Sequence, residues 1–246
     1  MKQWMVYLFA LFLVGCASNG VSDERAHNSA KIHTELAASY FERGQYSVAL
    51  QELGAAMQAD DEYAPSYNVR GLVRMKLHED AEADKDFRRA LKLDPQSASA
   101  HNNYGWFLCQ RGRPKDSISH FLDALKDPLY NTPDMAYANA GVCAIKADDL
   151  VAAESYLERA LILHPGMPEA QVGLAELNYA KGDYAMAKVH LMRFMQVYDA
   201  LAPEQLWLAV RIERKVGNRN AAESYALQLR KRFPESREAQ LLQAGE

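Results

Sequence analysis

Small and large apolar residues recur along residues 30–236 with a period near 34, and within each period they are spaced for two amphipathic helices. Segments such as ALKLDP and ALILHP close the second helical pattern with a proline just beyond it, as helix ends commonly do. No segment alternates apolar and polar residues with the period of two that marks a strand. The pattern therefore predicts an all-α chain of repeated helix pairs.

A period of 34 residues is that of the tetratricopeptide (TPR) repeat, in which small residues allow two helices to cross closely. We expect a right-handed superhelix of about six TPR helix pairs, followed by a C-terminal tail at 237–246. Repeat three ends in KDPLYNTPDM, whose two prolines predict a longer turn before repeat four. The expected repeats lie near 30–63, 64–97, 98–133, 134–167, 168–201 and 203–236.

The N-terminus has the pattern of a secretory signal. Lys2 precedes an unbroken apolar run of 11 residues, Trp4 to Val14, which is shorter than the roughly 20 residues that a membrane-spanning helix needs. The run ends in LVGC, which resembles the bacterial lipobox and implies removal of residues 1–15 and acylation of Cys16, for example with palmitate. The alternative is a plain signal peptide with a chance cysteine.

The residues after Cys16 predict where the protein is held. By resemblance to Gram-negative lipoproteins, the absence of Asp at position 17 implies an outer-membrane anchor, with the repeats in the periplasm. Residues 17–29 are polar and lack apolar periodicity, so we interpret 16–29, with the acylated Cys16, as a lipidated flexible tether.

Charge and motif content exclude several functions. The net charge is −4, and near −5 once Lys2 is removed with the signal, which argues against nucleic-acid binding. Seven histidines are scattered without a metal-binding spacing, and no nucleophile–base pair or phosphate loop is present. We therefore expect no enzyme, no cofactor, no metal and no small-molecule substrate.

The segment NNYGWFLC, residues 102–109, combines packing positions with candidate binding positions. Tyr104 and Gly105 are repeat-defining core residues, whereas Asn102, Trp106 and Cys109 fall at offsets that face the groove in TPR proteins. The expected partner-binding groove is an apolar strip flanked by two amides: Phe41, Leu72, Met75 and Trp106, with Asn68 and Asn102. Exposed apolar groups commonly mark interaction sites. Alternatively, Trp106 only shields a neighbouring helix.

Two cysteines remain after lipidation of Cys16. Cys109 and Cys143 lie 34 residues apart, about one repeat, on the first helices of neighbouring repeats. Export to an oxidising compartment and this spacing favour a disulfide between repeats three and four. Two buried free thiols are the alternative.

The combination of lipobox, about six TPRs, NNYGWFLC and AAESYALQL at 221–229 resembles the type IV pilus biogenesis and stability lipoproteins, the pilotin-like PilW/PilF family. That resemblance covers nearly the whole chain. It implies a role in localising the outer-membrane secretin PilQ or in keeping it multimeric, with the first repeats as the groove. Two alternatives are a TPR lipoprotein of outer-membrane protein assembly, similar to BamD, and a scaffold for peptidoglycan hydrolases, similar to NlpI.

Overall fold

The computed structural model describes residues 17–198 and 200–245, and these residues form helices and turns without a strand, which confirms the all-α class. The chain divides into two compact units, and the boundary between Asn103 and Tyr104 falls within α5. The helices of the described residues are α1 Ala17–Glu42, α2 Tyr46–Ala59, α3 Ala64–Lys76, α4 Asp80–Leu93, α5 Ala98–Gln110, α6 Pro114–Ala124, α7 Pro133–Lys146, α8 Leu150–Leu163, α9 Pro168–Lys181, α10 Tyr184–Met195, α11 Pro203–Lys215, α12 Arg219–Arg232 and α13 Arg237–Ala244.

The N-terminal unit, up to Asn103, packs α1 against α2 and α3, and α3 against α4. Gly71 on α3 lies so close to Phe87 on α4 that an added Cβ would stand 2.8 Å from the ring. The missing side chain therefore makes the close crossing possible, and the fully buried Phe87 ring fills the space beside it.

The C-terminal unit, from Tyr104, contains the pairs α7–α8, α9–α10 and α11–α12. Its largest apolar cluster surrounds α11, where Leu206, Leu208 and Ile212 are almost completely buried. First helices also pack on one another, α7 on α9 and α9 on α11. Successive first helices therefore present one continuous face within this unit.

Local sequence signals fix where several helices begin. Proline is the first residue of α6, α7, α9 and α11, a position where its missing N–H is not needed. Aspartate caps two second helices: the Asp149 carboxylate accepts from the Ala152 N–H at 3.0 Å, and Asp183 accepts from Met186 at 3.0 Å. Of the two prolines in KDPLYNTPDM, Pro128 lies in the eight-residue connection 125–132 and Pro133 is the first residue of α7.

The polar segment that we expected to be a flexible tether is helical from Ala17 onward, so that expectation about its conformation is wrong. The segment contains no proline, and its last turn is held by tertiary contacts. Ala30 is completely buried, and the His27 ring lies edge-on to Tyr63 with its Nδ1 3.0 Å from an Asp60 carboxylate oxygen. These contacts extend the first helix of repeat one toward the N-terminus.

The expected C-terminal tail contains an ordered helix, α13. The Ser236 hydroxyl caps it by accepting a hydrogen bond from the Ala239 N–H at 3.1 Å. Ala239 and Leu242 are buried against α11 and α12, within the cluster around α11. The tail therefore covers apolar surface of the last repeat.

Candidate functional site

The predicted groove residues of the N-terminal unit differ in exposure. Phe41 and Leu72 are half-buried, but Asn68 and Asn102 are each 7% exposed and Met75 is 9% exposed. The expectation that these three face the solvent is therefore wrong. For Asn68 the physical reason is visible, because its Oδ1 accepts a hydrogen bond from the Asn103 Nδ2 at 3.1 Å.

The fifth residue of a repeat lies in a polar contact between helices rather than on a free surface. Thr34 is buried in repeat one, where its Oγ1 donates to the Ala30 carbonyl at 2.7 Å and lies 2.7 Å from the Ser66 Oγ. Asn68 and Asn102 hold the same position in repeats two and three. Buried polar groups require such partners, so these side chains order the N-terminal unit.

Trp106, in the C-terminal unit, is half-buried. It packs against the cluster formed by Phe121, Ala140 and the two cysteines, together with Ile118 and Tyr156. The remaining part of the side chain is accessible, and the Lys146 ammonium lies 6.0 Å from the centroid of its ring. Both interpretations of this residue thus have a structural counterpart: it shields a helix and it contributes to a surface.

Cys109 and Cys143 form a disulfide that joins α5 to α7. Their Cα atoms are 5.8 Å apart, inside the range that a bridge requires. Both cysteines are almost completely buried, at 2% and 0% exposure, so the bridge lies under the surface that carries Trp106.

Three ionisable side chains on successive first helices form what we call the charged row: Lys146 on α7, Glu176 on α9 and Arg211 on α11. Burial raises the pKa of the Glu176 carboxyl, although Arg211 and Lys146 act to lower it, and Glu204 adds to the increase. Partial burial lowers the pKa of the Lys146 ammonium, and Glu176 opposes this effect.

Aromatic rings accompany both cations of the charged row. The Arg211 guanidinium carbon lies 4.7 Å from the centroid of the Tyr179 ring and 5.7 Å from that of Trp207. Lys146 lies over Trp106, and its ammonium donates to the Gln110 Oε1 at 3.3 Å. Glu176 and Arg211 occupy the ninth position of their repeats, like Trp106. The sequence could have indicated these two residues through that shared position, but it does not show that the Glu176 and Arg211 side chains are partly buried.

A second group that sequence reasoning missed lies in the N-terminal unit. The carboxylate of Asp86, 4% exposed, accepts hydrogen bonds from the Arg70 Nε at 2.9 Å and Nη2 at 2.6 Å, and from the Arg74 Nη1 at 2.6 Å. Two arginines that share one buried carboxylate hold α3 to α4. Both oxygens of this carboxylate accept hydrogen bonds from the arginines, so the group has a structural role.

The lipidation residue Cys16 lies outside the described residues. Among the helices of residues 17–198 and 200–245, none has the length and apolar character needed to cross a membrane. The acylation of Cys16 therefore stays a prediction from LVGC.

Comparison with protein-family models identifies tetratricopeptide repeats at residues 68–136 and 144–193. These matches confirm the TPR fold class, which is a scaffold typical of protein-interaction proteins rather than of enzymes. They cover repeats in both units and leave the individual family open.

Relatives that match over most of the chain identify the individual family among TPR proteins. The type IV pilus assembly protein PilF of Pseudomonas aeruginosa is 29% identical over 98% of this chain and 97% of the relative. The crystal structure of PilW, described as a widely conserved type IV pilus biogenesis factor, matches with 34% identity and a TM-score of 0.77, covering 87% of this chain and 97% of that one. The solved structure of Pseudomonas aeruginosa PilF matches with 27% identity and a TM-score of 0.74, over 90% of this chain and 100% of that one. The chain therefore belongs to the PilW/PilF family of type IV pilus biogenesis TPR proteins.

Proposed function

We propose that this protein is an outer-membrane lipoprotein that binds the secretin PilQ and supports its localisation or its multimeric state during type IV pilus biogenesis. The observation that carries the proposal is the end-to-end similarity to PilF and PilW, which covers 97% or more of each of those chains. The similarity therefore extends over most of this chain and nearly all of each relative.

The proposed anchor is the acylated Cys16. The short apolar run and the LVGC motif place a cysteine where a lipoprotein signal requires it. Helix α1 begins at Ala17, so the residue after the proposed anchor is already helical. A helix advances 1.5 Å per residue, so the polar first part of α1 acts as a short rod between the membrane and the first repeat.

The proposed binding surfaces are the exposed parts of the first helices, taken in each unit separately. In the N-terminal unit, Phe41 and Leu72 are half-buried and keep accessible apolar area. In the C-terminal unit, Trp106 provides an aromatic surface held rigidly by the disulfide beneath it. Aromatic side chains in fixed positions are common binding anchors because little conformational freedom is lost when a partner docks.

The test is deletion of the gene in a piliated strain, followed by separation of inner and outer membranes and detection of heat- and detergent-resistant secretin multimers. We expect fewer multimers in the outer membrane, with recovery on complementation by the wild-type gene. Complementation by Trp106→Ala should restore them only partly, whereas the matched exposed change Leu129→Ala, at a side chain 83% exposed in the α6–α7 connection, should restore them fully.

Other phenotypes of the deletion strain would favour one of the two alternative functions. Normal secretin multimers together with a general loss of outer-membrane porins would favour an assembly factor, and altered turnover of peptidoglycan hydrolases would favour a hydrolase scaffold. Either result contradicts the proposed secretin function.

A further inference from the structure

Arg211 has the features of a binding group without an internal partner. Its Nε is buried and has no hydrogen-bond partner among the described residues, and no described carboxylate forms an ion pair with its guanidinium. A buried donor left without a hydrogen-bond partner destabilises the folded protein. The guanidinium is nevertheless held in place by Tyr179 and Trp207, which leave its orientation little freedom.

Lys146 on α7 repeats the arrangement two first helices before Arg211 on α11. Its ammonium lies over the Trp106 ring and donates a hydrogen bond to the Gln110 amide oxygen. Among the described residues, no carboxylate forms an ion pair with it. The side chain stays accessible to solvent. Two aromatic-supported cations thus flank α9 within the C-terminal unit, and neither is neutralised by direct pairing.

Glu176 lies between them on α9. It interacts electrostatically with both Lys146 and Arg211 without forming an ion pair with either among the described residues. Along α7, α9 and α11 the order of charges is positive, negative, positive. A nucleic acid or a phosphate-rich lipid surface fits this order poorly because Glu176 would repel it, whereas a polypeptide can carry both signs.

The spacing of the charges suits an extended chain. The axes of neighbouring packed helices lie about 8–10 Å apart, and an extended peptide advances about 3.3 Å per residue. Complementary charges on such a peptide are therefore about three residues apart. A single C-terminal carboxylate would meet one cation only, so the row selects internal side chains.

We propose that the charged row binds an extended segment of a partner protein that carries acidic, basic and acidic side chains about three residues apart. The acidic groups pair with Lys146 and Arg211, and the basic group pairs with Glu176. Apolar residues between them contact the accessible edges of Trp106 and Tyr179. This site lies wholly in the C-terminal unit, and it does not depend on the partner being a secretin.

The test uses a capped synthetic peptide, Glu-Leu-Gly-Lys-Leu-Gly-Glu, against the charge-reversed peptide Lys-Leu-Gly-Glu-Leu-Gly-Lys, titrated by calorimetry into the full-length protein. Quenching of tryptophan fluorescence gives a local readout, because Trp106 and Trp207 are the tryptophans beyond Trp4. We expect the first peptide to bind with a Kd below about 1 mM. Affinity should fall as ionic strength rises, since accessible pairs are screened. The reversed peptide should show no binding.

Single-residue variants distinguish binding at this site from non-specific binding of the peptide. Arg211→Gln and Lys146→Gln should each weaken binding on the order of ten-fold, as expected for loss of one charged pair. Lys181→Gln, at an exposed lysine that pairs with Glu154 on the same unit, should leave it unchanged. Circular dichroism confirms folding, and Lys146→Gln tests the site even if Arg211→Gln fails to fold.

Three results would overturn the proposal: equal binding of the two peptides, no binding of either, or unchanged affinity in the Lys146→Gln variant. Self-association that is lost in Lys146→Gln but not displaced by the peptide would identify a second copy as the occupant, and would also overturn it. Normal secretin multimers in the deletion strain, alongside charge-ordered peptide binding, would remove the proposed function and leave this site standing.

Discussion

Asp86 is a buried acid that joins two helices of the N-terminal unit. Its carboxylate is nearly inaccessible and accepts three hydrogen bonds from two arginines. Removing one partner from a buried ion pair leaves uncompensated charge, which typically costs about 3–5 kcal/mol.

We expect Asp86→Ala to lower the free energy of unfolding by about that range, measured by urea denaturation followed by circular dichroism. The control is Asp84→Asn on the same helix, where the carboxylate pairs with the exposed Arg88 and the change should be under about 1 kcal/mol. An Asp86→Ala variant as stable as the control would show that the network is dispensable.

Glu176 makes stability depend on pH in the direction opposite to an ordinary ion-paired acid. Burial raises its pKa in the folded protein, with Arg211 and Lys146 opposing and Glu204 assisting the shift. The folded state therefore holds a proton more tightly than the unfolded state, and stability decreases as pH rises from the ordinary glutamate pKa through the raised one.

Glu176→Gln should consequently be more stable than the wild type at neutral pH, and the difference should vanish below about pH 4, where the unfolded glutamate is also protonated. Melting temperatures of both proteins across this range are the measurement. A difference that is constant with pH would mean that the carboxyl titrates normally.

Single residues were the level at which sequence reasoning failed most often. Offsets placed Asn68, Met75 and Asn102 on a face, but the burial of these residues depends on neighbouring helices whose approach a single sequence does not specify. In the same way, Asp86 occurs in a strongly charged helix, and nothing in that local pattern shows which of its acids is buried. Pairing across helices is a tertiary property.

At the scale of the helix pair, glycine positions control how closely two helices approach. A Cβ added at Gly141 on α7 would stand 2.5 Å from the Leu157 Cγ on α8, closer than atoms tolerate. Gly54 on α2 is also helical, but a Cβ there meets nothing within 4 Å. The two glycines therefore form a matched pair for one substitution.

Gly141→Ala should destabilise the protein by about 1–3 kcal/mol through overpacking, whereas Gly54→Ala should stabilise it by roughly 0.5–1 kcal/mol through higher helix propensity. Thermal unfolding of both variants is the measurement. The same sign for both substitutions would refute the crossing argument.

The disulfide acts between elements, since it ties α5 to α7 across repeats three and four. On the chain-entropy model a loop of 34 residues contributes about 3–4 kcal/mol. We expect no free thiol at Cys109 or Cys143 when protein purified from its native host is titrated under denaturing, non-reducing conditions. We also expect a lower melting temperature for the Cys109→Ala/Cys143→Ala double variant. Recovery of two free thiols would contradict the bridge.

Elements were the scale best predicted from sequence. The Gly71–Phe87 and Gly141–Leu157 contacts each span 16 residues, and this repeated small–large spacing was enough to identify the helix pairs. The ends of the array were less predictable, because residues 17–29 and 237–246 lack that spacing. Their helices depend on contacts such as Ala30 and Leu242 with the repeats.

At the scale of the whole molecule, we expect the protein to be attached to the membrane through acylated Cys16. Two or more acyl chains are needed for stable anchoring, since each buried methylene contributes about 0.8 kcal/mol. Cys16→Ala should release the protein into the soluble periplasmic fraction and abolish incorporation of labelled palmitate. Continued sedimentation of this variant with membranes, together with no label in the wild type, would argue against lipidation.

Helix α13 covers the apolar end of the last described repeat. Its buried side, Ala239 and Leu242, occupies the apolar surface on which another repeat would stack, and its opposite side exposes Arg237, Gln240 and Gln243. Repeat arrays grow by duplication of one unit, and each new unit needs an uncovered neighbour. A further repeat could therefore stack directly on α11 and α12 only if α13 were displaced, so α13 acts as a cap that shields this end of the array from addition of another helix pair.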